Sequence, residues 1–339
     1  MLLLLAGLFF ASFALGRYGV PLPEVARILW SRAAAPLQAL LDRMNFPLSL
    51  VPARTWTDNM EIAVVNVRLP RILLACMVGC ALSAAGTAYQ CVFQNPMAAP
   101  DILGASSGAC FGAALAILLG RGGAGVTASA FLFSLSTVAL VYGIGLRAAG
   151  RQAVSILLAG VMVSSLFSAG TSYLKLVADP SSELPEITYW LMGSLSGTKL
   201  RDVGFALPPM LAGLVPLLLL RWRMNLLALD EEAKSMGVSV GRLRLIVILC
   251  ATVLTAASVS VSGMIGWVGL VVPHLCRKLV GNDCRCLLPA AMLLGAAFLL
   301  LADGCARNLI ATEIPIGILT AFIGAPFFIL LMTRKEELL

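Results

Sequence analysis

A bilayer core about 30 Å thick asks for about 20 apolar residues in each crossing helix, and this sequence supplies that length repeatedly. Nine runs carry no Asp, Glu, Lys or Arg: Met1–Gly16, Ile72–Pro100, Ile102–Gly120, Gly122–Leu146, Gln152–Leu174, Val203–Leu220, Leu245–Cys276, Leu287–Ala302 and Ile314–Thr333. Leu245–Cys276 would be roughly 48 Å long as one helix. Its middle, Ser260-Val261-Ser262-Gly263-Met264-Ile265-Gly266, invites a break, which makes ten spans. Composition agrees: 60% of the 339 residues are hydrophobic and 12% charged, against about 45–50% and about 25% in soluble domains. Too few charges remain to cover a soluble surface, so soluble, disordered and secreted disulfide-scaffold classes are excluded. The expected fold class is all-α: a polytopic membrane protein of about ten transmembrane helices, one transmembrane domain over 1–339.

The net charge of +7 reads as loop charge on the cytoplasmic side. No stretch interleaves Lys or Arg with aromatics as nucleic-acid stacking requires, so no nucleic acid is expected. Ten spans put both termini on one side. With termini inside, the inner loops hold Arg147, Arg151, Arg221, Arg223, Lys234, Arg242, Arg244, Arg277, Lys278, Arg285, Arg334 and Lys335; the later outer loops hold only Arg121, Lys175, Lys199, Arg201 and Arg307. That bias places the termini in the cytoplasm. The arginine-rich outer region 17–71 is the exception, and long loops obey the rule poorly. With Pro21, Pro23, Pro36, Pro47 and Pro52 it reads as irregular, apart from a short helix from Pro23 through Trp30. Met1–Gly16 lacks a basic n-region and a small-x-small cleavage site, so it reads as a first anchor helix rather than a signal peptide. Gly79, Gly86, Gly104, Gly108, Gly112, Gly263, Gly266 and Gly269 fall in the spans and fit close helix packing.

Several chemistries are missing. Gly193-Ser194-Leu195-Ser196-Gly197-Thr198-Lys199 has the wrong spacing for a phosphate loop, so ATP is not bound by this chain. The single histidine, His274, reads as a hydrogen-bonded structural residue. Cys76 and Cys80 stand one helical turn apart without an acidic or histidine partner, and Cys284-Arg285-Cys286 lies in a predicted inner loop; no metal site is expected. Asp303 and Arg307, four apart, suit a local ion pair within a span. Nothing resembles the buried acid chain of a proton pump, so the energy source lies outside this chain.

The segment between the sixth and seventh spans is the candidate receiver of that energy. In Asn225-Leu226-Leu227-Ala228-Leu229-Asp230-Glu231-Glu232-Ala233-Lys234-Ser235-Met236-Gly237-Val238, Leu226, Leu229, Ala233 and Met236 recur at helical spacing, acids fall early, and Gly237 stops the pattern. One or two short amphipathic helices over 225–238 would dock in a protein groove. Low positive charge disfavours anionic lipid.

At this point the ordered motifs resemble the FecCD-type permease family, membrane subunits of ABC importers for iron–siderophores, haem, cobalamin and related chelates. The likeness rests on Val20-Pro21-Leu22-Pro23-Glu24-Val25, Arg68-Leu69-Pro70-Arg71, Gln94-Asn95-Pro96-Met97-Ala98-Ala99-Pro100-Asp101-Ile102-Leu103-Gly104-Ala105-Ser106-Ser107-Gly108-Ala109, Leu157-Leu158-Ala159-Gly160 and Trp190-Leu191-Met192-Gly193-Ser194-Leu195. Further on come Gly263-Met264-Ile265-Gly266-Trp267-Val268-Gly269-Leu270-Val271-Val272-Pro273-His274, Ala302-Asp303 with Ala306-Arg307, Glu313-Ile314-Pro315-Ile316-Gly317 and Gly324-Ala325-Pro326-Phe327-Phe328.

The resemblance implies a type II importer of the bacterial cytoplasmic membrane: a second permease subunit in a homodimer, two ABC ATPases carrying ATP and Mg, and a periplasmic or lipid-anchored solute-binding protein. It makes Leu226, Leu229, Asp230, Glu231, Ala233, Met236, Gly237 and Val238 the ATPase-coupling residues, with Asp230 where the family usually has Gly. It makes Arg68, Arg71 and Arg307 outer-face receivers for acids of the binding protein, with Arg307 then pointing outward. It makes Asn95, Pro96 and Met97 an inner gate, with a second gate element near Ala153, Val154 and Ser155. Ser164, Ser165, Ser168, Thr171 and Ser172 suit a weakly binding path, and ordinary helix packing accounts for them equally well. The implied cargo is an iron–siderophore, then haem or cobalamin, with an oxyanion such as molybdate as the alternative. A secondary carrier would need coupling ions or a polar filter in the spans, and neither is visible.

Overall fold

The computed structural model describes residues 1–16, 18–44, 51–148, 152–228, 239–310 and 312–333. Its helices are α1 (Leu2–Ala14), α2 (Leu22–Arg43), α3 (Asp58–Glu61), α4 (Leu69–Phe93), α5 (Ala105–Leu118), α6 (Gly123–Arg147), α7 (Gln152–Val177), α8 (Glu183–Leu191), α9 (Leu200–Met224), α10 (Val240–Ser262), α11 (Val268–Val280), α12 (Cys284–Asn308) and α13 (Ile316–Thr333). A π turn, Ile62–Arg68, joins α3 to α4, and short 3-10 turns cover Pro100–Leu103 and Asn225–Ala228. Among the described residues, six helices are long and apolar enough to cross a bilayer. The shorter α1, α5, α11 and α13 occupy the remaining expected spans.

The long run Leu245–Cys276 does break. Helix α10 stops at Ser262, Gly263 takes φ 67°, and Trp267 takes φ 68° at the start of α11. Gly263 is required twice over: a positive φ strains any side chain there, and a Cβ would sit 2.3 Å from the Trp190 carbonyl oxygen.

Region 17–71 is a correction. The expected irregular loop is largely helical, and α2 runs for 22 residues. Pro23 falls in its first turn, where no N–H is missed, and the helix continues through Pro36. Val25, Ile28, Ser31 and Ala34 are buried at three-residue spacing, so one packed face outweighs the breaker signal. Helix α5 is a second difference. The run Ile102–Gly120 gives only 14 helical residues, because the chain first passes through the Pro100–Leu103 turn.

Helix α4 is the axis of the bundle. Its most apolar stretch is 78% buried, against 22% for the span containing α9. Helices α9, α10, α11 and α12 pack around it, while α5, α6 and α7 form a second group. A helix enclosed on all sides by others needs small residues, because lipid gives apolar side chains no reason to prefer protein. Gly79, Ala81, Ala84, Ala85, Gly86 and Ala88 meet that need. A Cβ on Gly86 would lie 1.8 Å from the Gly269 carbonyl oxygen of α11, and one on Gly79 2.2 Å from that of Gly295 in α12. The buried Tyr89 hydroxyl and Thr252 Oγ1, 3.0 Å apart, tie α4 to α10.

Overpacking of a close core costs about 1–3 kcal/mol even where side chains can shift, and here the opposing atoms are backbone. Gly86→Leu is therefore expected to abolish the monodisperse folded peak in detergent size-exclusion chromatography. Gly204→Leu, where an added Cβ meets nothing within 4 Å, should leave that peak intact.

Candidate functional site

Charged side chains gather at one end of α4. Arg71 Nε donates to Asp303 Oδ1 at 2.8 Å, and its Nη1 reaches both Glu313 carboxylate oxygens at 3.0 and 2.9 Å. Arg307 Nε lies 3.0 Å from Asp303 Oδ2. Arg68 donates to the carbonyls of Phe13 and Tyr18. Asp303 is fully buried, and Arg68, Arg71 and Arg307 are 5, 6 and 8% exposed. Arg307, which the resemblance would turn outward, instead pairs with Asp303, as its four-residue spacing first indicated. The three arginines still border a cavity of about 280 Å³ with Gly16, Tyr18 and Glu313. Three guanidiniums face two carboxylates here, which leaves an excess of positive charge at its wall.

Against the first third of α7 the structure brings in a residue that the sequence reading passed over. Asp101 separates Ile72–Pro100 from Ile102–Gly120, so it looked like a boundary. It is instead a lone acid in a long apolar stretch, and that isolation was the available signal. The Pro100–Leu103 turn packs on α7: a Cβ on Gly160 would meet the Ile102 carbonyl oxygen at 2.2 Å. Gly160 is roughly 12 Å along α7 from Gln152. Asp101 accepts a hydrogen bond from Ser106 Oγ and lines two cavities. One, about 520 Å³, is shared with Val161, Ser164, Ser165 and Ser168; the other, about 500 Å³, with Met192, Met264, Trp267 and Ile318. Ser165 donates to Val161 O at 2.9 Å, Thr171 to Phe167 O at 2.9 Å and Ser172 to Ser168 O at 3.0 Å. Val154 is exposed and Ser155 half-buried.

At the other end of α4 the chain turns sharply. Gln94 takes φ 49°, and the loop is closed by the Met97 N–H to Asn95 Oδ1 at 2.8 Å. Asn95, Pro96 and Met97 are exposed. Gln94 Nε2 donates to the Leu227 carbonyl at 2.5 Å, so this loop is bonded to the start of the 225–238 segment. Asn225 is held as well: its Nδ2 donates to Asp283 Oδ1 at 2.8 Å, and its Oδ1 accepts the Cys284 N–H at 2.9 Å. With these donors and the Arg285 N–H, first among them, the Asp283 carboxyl titrates below its usual range. Leu226 is half-buried, while Leu227, which the spacing did not single out, is fully buried. Leu229, Asp230, Glu231, Ala233, Met236, Gly237 and Val238 lie outside the described residues.

His274 departs from expectation. Its Nε2 is buried without a hydrogen-bond partner, and its ring packs near Phe327 and Phe328 at 6.4 and 6.3 Å. Cys284 faces Cys91, with the sulfurs 2.9 Å apart. Among the described residues no three His, Cys, Asp or Glu side chains gather as a metal site.

An all-helical bundle with membrane-length apolar helices, a charged cluster at one end, cavities bordered by Asp101 and a tethered loop at the other end has the build of a membrane transport subunit. The FecCD transport family profile matches residues 3–334, and the chain belongs to that family. The chain is 41% identical to the molybdate import system permease protein MolB of Haemophilus influenzae, over 96% of this chain and 92% of the relative. It is 44% identical to the cobalamin import system permease protein BtuC of Halobacterium salinarum, over 82% and 75%. A solved inward-facing structure of a putative metal-chelate type ABC transporter superposes with TM-score 0.83 at 38% identity, covering 98% of this chain and 96% of that one. The chain is thus the multi-pass permease subunit of a type II ABC importer and not itself an enzyme. It works in a complex with an ATPase, which binds the ATP, and a binding protein.

Removing one partner of a buried ion pair costs about 3–5 kcal/mol, whereas an exposed pair is worth about 0–1 kcal/mol. Asp303→Asn should therefore lower the melting temperature of the detergent-solubilised chain clearly, and Arg27→Ala, which opens an exposed pair with Glu24, should leave it nearly unchanged.

Proposed function

We propose that this chain is half of a homodimeric permease in a bacterial cytoplasmic membrane. With both termini in the cytoplasm, it passes cargo from an external binding protein inward by alternating access. The observation that carries the mechanism is the Gln94–Leu227 hydrogen bond. It joins the loop of Asn95, Pro96 and Met97 to the segment that would seat in the ATPase, so closure of the ATPase pair pulls on the gate through a 2.5 Å contact. Leu226, Leu229, Asp230, Glu231, Ala233, Met236, Gly237 and Val238 act in that coupling. Val154, Ser155, Ser164 and Ser168 line the path, and Asp101 joins them.

The docking role of Arg68, Arg71 and Arg307 takes a different form from exposed surface cations. An acidic side chain of the binding protein enters the cavity they border and balances its surplus positive charge. Such charges fix orientation and encounter rate more than affinity.

For the cargo, molybdate moves ahead of the iron–siderophore implied by resemblance alone, because the molybdate permease matches nearly the full length of both chains. A metal chelate is the second reading. It is supported by the cobalamin relative and by cavities of about 500 Å³ beside Asp101.

Proteoliposomes with the cognate ATPase and binding protein should accumulate radiolabelled molybdate only with ATP inside. Glu231→Ala and Gly237→Leu should cut uptake at least tenfold without loss of complex. Uptake of a labelled ferric siderophore or cobalamin instead would move the cargo to the chelate class, and uptake without any ATPase would end the importer mechanism.

A further inference from the structure

A cavity of about 570 Å³ lies at the Gln94 end, between α4, the end of α9, α11 and the start of α12. Its wall combines two cations, Arg277 and Lys278, with His274 and the side-chain amides of Gln90, Gln94 and Asn282. Among the described residues no carboxylate lines it. The adjacent Asp283 accepts hydrogen bonds from Asn225 Nδ2 and the Arg285 N–H.

The cavity also collects polar atoms with nothing to bond. Gln90 is 3% exposed, and both its Nε2 and Oε1 are buried without partners. His274 Nε2 and Arg277 Nη1 are in the same condition. Each such group carries a desolvation penalty, greater when charged, unless something fills the need. Basic residues in the last turn of α11 also complement the helix dipole, and that accounts for Lys278, which is exposed. It does not account for a buried Gln90 amide and a buried guanidinium nitrogen opening on one space. The remaining neighbours, the thiols of Cys91 and Cys284, face each other at 2.9 Å and leave these donors unmatched. An apolar occupant would do the same.

We propose that this cavity binds a tetrahedral oxyanion, either free in solution or as the phosphate of a lipid headgroup. Arg277 and Lys278 supply two positive charges, which balance a dianion, and Gln90 Nε2 donates from the cavity wall. The arrangement favours Arg277 as the main determinant, since a guanidinium presents several N–H groups to planar faces of oxygens. The volume leaves space for bridging water or for the group that carries the anion. The wall also includes Asn95, Pro96 and Asn225, so the site lies against the proposed gate and the start of the proposed coupling segment, apart from the cavities beside Asp101, and it does not depend on which cargo the permease moves.

The test is isothermal titration of the full chain in phosphatidylcholine nanodiscs, with inorganic phosphate and then molybdate as probes. One site per chain is expected for at least one probe. Arg277→Gln should raise its dissociation constant at least tenfold and Lys278→Gln several-fold, with the melting temperature of Lys278→Gln unchanged. A second arm adds phosphatidylglycerol to the discs. If that lipid abolishes the heat of the inorganic probes, and native mass spectrometry finds it retained by the wild type but not by Arg277→Gln, the headgroup is the occupant. Undisturbed heat in those discs assigns the site to the free anion. Absence of binding of either probe in phosphatidylcholine discs, or affinities unchanged in both variants, overturns the proposal.

Discussion

Everything in this molecule depends on how closely α4 can be approached. In water, apolar side chains would drive helices together; in lipid they would be equally content outside, so contact has to come from fit and from polar groups. The sequence answers by removing side chains where α4 meets α11 and α12, at Gly86 against Gly269 and Gly79 against Gly295. Once these backbones touch, the elements at both ends of α4 follow. Arg71 is carried to Asp303 and Glu313, and Gln94 to Leu227. The two ends of the permease are thus terminals of one rigid, side-chain-poor rod.

The spans themselves were legible because bilayer thickness sets a minimum length and composition that few other constraints imitate. The split at Gly263 was legible for a similar reason: an apolar run too long to cross once had a glycine-containing middle. The region 17–71 was misread because its prolines were weighed as breakers without regard to position. Pro23 lies where a helix tolerates proline, and the spacing of Val25, Ile28 and Ala34 carried the truer signal.

The candidate site was less legible, and the reason is distance along the chain. Asp303 and Arg307 share a helical face, so their pairing could be read from spacing. The bonds from Arg71 to Asp303 and Glu313 cross more than 230 residues, and no local pattern reports them. Motif resemblance named Arg68, Arg71 and Arg307 as receivers on the outer face, and a motif carries no information on how deeply such side chains are buried. Asp101 was visible in the sequence and was discounted, since a charge between two apolar runs marks a loop in most membrane proteins. Here the chain turns at that point against α7, and the exposed acid borders the two cavities there.

The bond between the Gln94 loop and the segment proposed to couple to the ATPase has a feature that bears on how such subunits diverge. Gln94 holds the carbonyl of residue 227, not its side chain. A main-chain acceptor is supplied by any amino acid, so this bond by itself sets no demand on the side chain at position 227. In the coupling proposed above, the linkage to the loop then rests on the main chain, and side chains that meet the motor protein can change without breaking it.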